Sequence, residues 1–296
     1  MSCRRMVRVG DVELCVETFG DPVDPPVLLV AGAAASMDWW DDDLCRRLAA
    51  GRRHVVRYDH RDTGESTTGH PGSPGYGGMQ LTRDCLGLIE SLRLGEVHLV
   101  GVSMGGAIAQ VLALRRPDLL ASLTLVSTTS VGGTDSEQLP GPTADLRASF
   151  GSPPPEPDWS DAAGYADWVV AGQRPYAGSI GLDEPRVRAV ALGVHARSHD
   201  PAAAANHWLV VGEDDEADAE LEPLDVRRIT VSTLVVHGSE DPLFPLPHGR
   251  ALAEAIRGAT LLVVPGMGHE VPPAPAWDVV VPAVLRHTAG QAHRLL

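Results

Sequence analysis

The chain is 296 residues long, 44% apolar but only 4% aromatic, and carries a formal net charge of −15. That length accommodates one large α/β domain with an insertion around an aliphatic core, and that charge argues against nucleic acid or an anionic membrane surface as partner. All 24 basic residues are arginine, which excludes a catalytic lysine or Schiff base.

The opening MSCRRMVRVGDVELC has arginines but no apolar stretch of signal-peptide type, and no run along the chain reaches membrane-spanning length. Neither a leader nor a membrane partner is therefore expected. Cys3, Cys15, Cys45 and Cys85 lie in the first third without C-x-x-C spacing. They read as free thiols of a cytoplasmic protein, with a disulfide as the alternative. Two alternating segments, 7–9 and 12–18, split by Gly10-Asp11, predict an opening hairpin. The continuous apolar run at 27–30 predicts a strand buried on both faces. A helix is expected from about Asp38, with Asp41, Asp42 and Asp43 in its first turn and Gly51 beyond its end. A strand at 54–58, a helix at about 81–92, a strand at 97–102 with a helix to Arg116, and a strand at 123–126 follow. Later come strands at 234–237 and 261–264, with a helix from about Pro247 between them and a closing helix at 277–288. Eight strands alternating with helices predict a mostly parallel sheet covered on both faces.

The rhythm stops between 131 and 227. This stretch holds the proline-rich GSPPPEPDWS, weak helical patterns at 165–171 and 186–199, and the acidic run GEDDEADAELE at 212–222. Nearly one hundred residues are too many for a plain loop. The expected organisation is a core domain of 1–130 and 228–296 with a mainly helical lid, 131–227, inserted into it.

The most informative segment is VHLVGVSMGGAIAQVLAL, 97–114, in which an apolar strand runs through Gly101-Val102-Ser103-Met104-Gly105 directly into a helix. Strand, sharp turn and helix in succession form a nucleophile elbow, with Gly101 and Gly105 where side chains would crowd the backbone. The helix N-terminus beneath Ser103 favours the negative charge that acyl transfer generates. A serine nucleophile needs a base and a group that orients the base, and on this scaffold they follow in the order acid, histidine. Asp241 stands in the turn GSEDP after the 234–237 strand, and His269 in PGMGH after the 261–264 strand. Each has a bland alternative: a turn serine, a turn or cap aspartate beside its competitor Glu240, and a structural loop histidine. The order and placement of all three favour a catalytic triad.

An oxyanion hole needs two backbone donors, and Met104 and Ala33 supply the candidates, with Gly32 allowing close approach. Gly32, Trp39 and Trp40 are candidate pocket residues, the tryptophans alternatively packing the first helix. In RYDHRDTGEST, 57–67, Asp59, Arg61 and Asp62 read as loop braces. His195 and His199 have helical spacing but no further ligand motif. G-x-G-x-x-G, Walker and H-E-x-x-H patterns do not occur, so no cofactor and no metal is implied.

These motifs resemble the α/β-hydrolase-fold esterases, and within them the aclacinomycin methylesterase type of anthracycline biosynthesis. The resemblance runs through GDVELCVETFGDPVDPPVLLV, RYDHRDTGEST, VGVSMGGAIAQVLAL, VSTLVVHGSEDPLFPLPHGRALAEAI, VVPGMGHEVP and VLRHT, almost everything outside the lid. It implies Ser103 as nucleophile, Asp241 as acid, His269 as base, Ala33 and Met104 as oxyanion donors, and the methyl ester of an aromatic polyketide as substrate. Many such hydrolases have His-Gly where this chain has Ala31-Gly32. Competing readings are C–C bond hydrolysis, lactone opening or perhydrolysis with the same triad, and a non-hydrolytic binding or cyclase module.

Overall fold

In β3 (Pro26–Val30) successive side chains point to opposite faces: Leu28 and Val30 join one apolar cluster, Val27 and Leu29 another. β5 (Val97–Val102) divides in the same way, with Leu99 on the first side and Val100 and Val102 on the second. Strands buried on both faces must be covered twice, and they are. The computed structural model describes residues 3–134, 138–210 and 223–289; the acidic run at 212–222 lies outside them.

The sheet has eight strands in the order β1-β2-β4-β3-β5-β6-β7-β8. β1 (Cys3–Val9), β2 (Val12–Phe19) and β4 (His54–Tyr58) pair antiparallel, and all other neighbours pair parallel. The remaining strands are β6 (Leu120–Val126), β7 (Thr233–Gly238) and β8 (Thr260–Val264). One face is covered by α2 (Gly78–Ser91), α3 (Met104–Arg115) and α8 (Pro247–Ala255), through Leu81, Cys85, Leu88, Ile108, Leu112 and Leu252. The other is covered by α1 (Asp42–Ala50) and α9 (Trp277–Ala289), through Leu44, Leu48, Trp277, Val280 and Val284. Because the central strands run the same way, the loops after β3, β5, β7 and β8 open at one edge of the sheet, where α/β folds place their sites.

Between β6 and β7 lie α4 (Ala144–Gly151), α5 (Ala162–Gln173), α6 (Glu184–Arg197) and α7 (Asn206–Val210). Asp161 and Asp183 cap α5 and α6 by accepting from Ala163 and Arg186 N–H at 3.0 Å each. α5 and α6 share a small apolar cluster of Tyr165, Ala166, Val169, Val170, Val187 and Ala191.

The expected elements are present, with shifted ends. β1 begins at Cys3 rather than 7 because all seven of its residues pair with β2, whatever their polarity. β6 starts at Leu120 and α2 at Gly78. The helix expected from Asp38 begins instead at Asp42, preceded by a 3-10 turn, Met37–Trp39. Asp59 takes the Met37 N–H at 2.9 Å, and Trp40 is extended at φ −84°, ψ 95°. That break sends the Trp40 ring into the core while Trp39 faces the other way.

Candidate active site

The turn after β5 is as tight as its glycines suggest. A Cβ on Gly101 would fall on the Gly105 carbonyl, and one on Gly105 on the Val30 carbonyl, closer than any real contact. Ser103 between them has φ 52° and ψ −118°, a left-handed conformation unusual for a residue with a side chain. Hydrogen bonds enforce it. Ser103 N–H donates to Val126 O at 3.0 Å, and the Ser103 carbonyl accepts from Gly106 N–H (2.8 Å), Ala107 N–H (3.1 Å) and the Thr128 hydroxyl (2.9 Å).

Two loops from the far half of the sheet meet this serine. His269, just after β8, has Nε2 3.0 Å from Ser103 Oγ, while its Nδ1–H donates to Asp241 Oδ2 at 2.9 Å. Asp241, just after β7, is 2% exposed, and its Oδ1 accepts from Leu243 N–H (2.9 Å) and Phe244 N–H (2.8 Å). The Asp241 bond fixes the imidazole with Nδ1 protonated, leaving Nε2 free to accept the serine proton. Residues 138 positions apart in sequence, Ser103 and Asp241, are thus joined through one ring.

Glu240, the competing acid, points elsewhere: its carboxylate accepts from Ser179 N–H (2.7 Å) and Ser179 Oγ–H (2.8 Å) in the β6–β7 segment. The same segment touches both loops, since His269 N–H donates to Tyr176 O at 2.8 Å and Ile180 N–H to Gly266 O at 3.0 Å.

Ser103 and His269 open into a cavity of about 450 Å³. Gly32, Ala33 and Trp39, candidates for the pocket and the oxyanion hole, line it. Met104 directly follows the serine as the first residue of α3, so its amide sits at the helix N-terminus. Trp40 does not belong to the pocket; it is 2% exposed and packs with Leu44 and Leu48. A Cβ on Gly32 would meet Ser103 Cβ at 3.5 Å, an ordinary contact, so glycine there keeps space open over the serine rather than relieving backbone crowding.

The charged loop after β4 braces, as its composition suggested. Arg61 grips Asp84 at 2.6 and 2.7 Å, and Asp59 pairs with Arg197 of α6, which also holds Asp38. Asp62 reaches the cavity wall, with its oxygens taken by Gly69 N–H, Tyr76 Oη–H and Asn206 Nδ2–H. His195 and His199 donate to the separate carbonyls of Trp159 and Glu65. All four cysteines are free, and burial pushes the Cys45 and Cys85 thiols up to about 12.

Sequence reasoning did not single out Trp159, Tyr165, Trp168, Tyr176, Arg186 and Trp208 of the β6–β7 segment, or Glu270 beside the base, all of which line the cavity. Four of the chain's six tryptophans (39, 159, 168, 208) line this one cavity in an aromatic-poor protein, and their scarcity was the only hint the sequence offered. It also missed His207, whose Nδ1 accepts from Ala34 N–H at 3.0 Å and whose Nε2–H donates to Arg61 O at 2.9 Å. Burial lowers its pKa, which suits an imidazole that must stay neutral to accept.

A family model described as alpha/beta hydrolase fold matches residues 25–273. The chain is 31% identical to rhodomycin D methylesterase DauP of Streptomyces sp. strain C5 and 32% identical to rhodomycin D methylesterase DnrP of Streptomyces peucetius. Each comparison covers 96% of this chain and 97% of the relative. Among solved structures, an esterase from Exiguobacterium antarcticum aligns over 97% of this chain and 100% of its own, at 19% identity and TM-score 0.75. The enol-lactonase of Burkholderia xenovorans LB400 aligns over 96% of this chain and 100% of its own, at 22% identity and TM-score 0.70. By sequence, sheet order and elbow geometry, the chain belongs to the α/β-hydrolase-fold family.

Proposed function

We propose that this protein is a serine carboxylic ester hydrolase that removes methanol from the methyl ester of an anthracycline-type aromatic polyketide. The observation that carries the reading is the continuous relay Ser103 Oγ, His269, Asp241 at the floor of an aromatic-walled cavity. The substrate assignment is supported by the likeness to the two rhodomycin D methylesterases over nearly their full length.

In this mechanism His269 Nε2 takes the Ser103 proton as Oγ attacks the ester carbonyl, and Asp241 stabilises the imidazolium that forms. The Ala33 and Met104 amides hold the oxyanion, with the α3 N-terminus adding its dipole. Collapse expels methanol, protonated by His269, and leaves an acyl-enzyme. Water deprotonated by His269 then releases the carboxylic acid. Residues 131–227 act as the lid over the core of 1–130 and 228–296, and the tryptophans on both sides flank the planar part of the substrate. Among the described residues no helix is long and apolar enough to cross a membrane, and with four free thiols we assign the protein to the cytoplasm.

The test is incubation of the purified protein with an anthracycline methyl ester and detection of the acid and methanol by mass spectrometry. Product from the native protein and none from Ser103→Ala supports the reading; equal turnover by both removes it.

A further inference from the structure

The polar groups on the cavity wall differ in how far the protein has already satisfied them. Asp62 accepts from Gly69 N–H (2.6 Å), Tyr76 Oη–H (2.7 Å) and Asn206 Nδ2–H (2.9 Å), which leaves little for a ligand. Arg186 donates to the Asp41 carboxylate and to Trp39 O, so its charge is matched. Both nitrogens of His269 are committed. Glu270 is different. Its carboxylate accepts one long hydrogen bond, from Gly268 N–H at 3.4 Å, and makes no ion pair among the described residues. Burial raises its carboxyl above the ordinary value, while Gly268 N–H, Arg186 and His269 oppose that rise.

A half-buried carboxylate with spare acceptor capacity, one residue from the base and on an apolar wall, is costly to leave facing a neutral ligand. Asp41 shares Arg186, and Asp62 is met only by neutral donors, so with Glu270 the cavity lining carries more carboxylate than cationic charge. The chain's charge of −15 raises the local concentration of cations, and the tryptophans that line the same cavity also attract them.

We propose that Glu270 is a specificity-determining residue that binds a protonated amine on the substrate, while the aromatic body lies against the tryptophans and the ester faces Ser103. This deepens the proposed function and rests on its placement of substrate in the cavity. An ammonium group would gain a charge-assisted hydrogen bond, and its acylated counterpart would leave the carboxylate partly desolvated and unmatched.

The experiment measures equilibrium binding by tryptophan fluorescence quenching in Ser103→Ala, using an aminomethyl-anthraquinone and its N-acetyl derivative as probes. The amine is expected to bind about tenfold tighter or more, in line with a hydrogen bond between charged groups. Adding Glu270→Gln should bring the ratio of the two affinities towards one, and Glu270→Asp, which keeps the charge, should retain a preference for the amine. A ratio near one in Ser103→Ala, or a preference that survives Glu270→Gln, overturns the proposal, and the first outcome needs no variant at Glu270. No ester is cleaved in this assay, so failure of the native protein to hydrolyse methyl esters would count against the proposed function and leave this ratio unaffected.

Discussion

Ser103 holds a left-handed backbone at φ 52° in a turn where neither flanking glycine tolerates a Cβ. Such conformations cost about 1–3 kcal/mol and persist only where the surroundings over-determine them, as the four hydrogen bonds on its backbone do here. Replacing Ser103 with alanine should lower kcat/KM by about 10³-fold or more while leaving the melting temperature close to that of the native protein. Asp241→Asn should cost about 10⁴-fold in kcat, because the asparagine amide would favour the imidazole tautomer with its proton on Nε2, facing the serine. Steady-state kinetics on a methyl ester read both, and an Asp241→Asn enzyme within tenfold of native would contradict the orienting role. Gly101→Ala drives a methyl group into the Gly105 carbonyl and should destabilise the fold by about 1–3 kcal/mol, visible as a lower chemical-denaturation midpoint.

At the scale of elements, the two loops that carry Asp241 and His269 are fastened to the segment between β6 and β7 rather than to each other alone. Glu240 holds Ser179 through its carboxylate, and His269 N–H reaches Tyr176 O. Glu240→Ala removes an exposed clamp worth little to global stability, so the melting temperature should barely move. Its kcat/KM should fall several-fold as the segment loosens over the cavity, and limited proteolysis near 174–182 should quicken. These contacts explain what the sequence could and could not reveal. Ser103, Asp241 and His269 were legible because each follows a buried strand, and strands announce themselves by apolar runs that end abruptly. The first helix begins four residues later than its acidic first turn suggests, because the Met37 amide is taken by Asp59 and Trp40 is extended, neither of which composition shows. Trp39 and Trp40, adjacent and identical, are divided between cavity and core by that same kink, a consequence of tertiary contact alone. Glu270 and His207 carried no local signal, because their meaning depends on residues far away along the chain.

At the scale of the whole molecule, four buried histidines, His60, His98, His207 and His237, are lowered below their ordinary value by that burial. His60 and His98 are lowered by burial, to about 3 and about 4 against an ordinary 6.5, with His207 further depressing the first and Arg53 the second. Between those values and 6.5 the unfolded chain takes up protons that the folded one refuses, so stability is retained above that window and lost as pH falls through it. The melting temperature should therefore be nearly level above about pH 7 and decline steadily below about pH 6.5. His60→Gln should flatten the acid side of the curve even if it lowers the plateau. A profile that stays level to pH 4, or a slope untouched by the substitution, would contradict this account.

The imidazole of His207 ties the amide of Ala34 to α7, so the residue next to the proposed oxyanion donor is anchored by the same stretch of chain that lines the cavity. Substrate preference and charge stabilisation therefore share a fastening. A chimaera that imports another enzyme's roof to change its selectivity would also unfasten the strand-end loop beneath it, unless Asn206 and His207 stay with the host. Grafts cut short of those two residues should keep turnover numbers that full-length transplants lose.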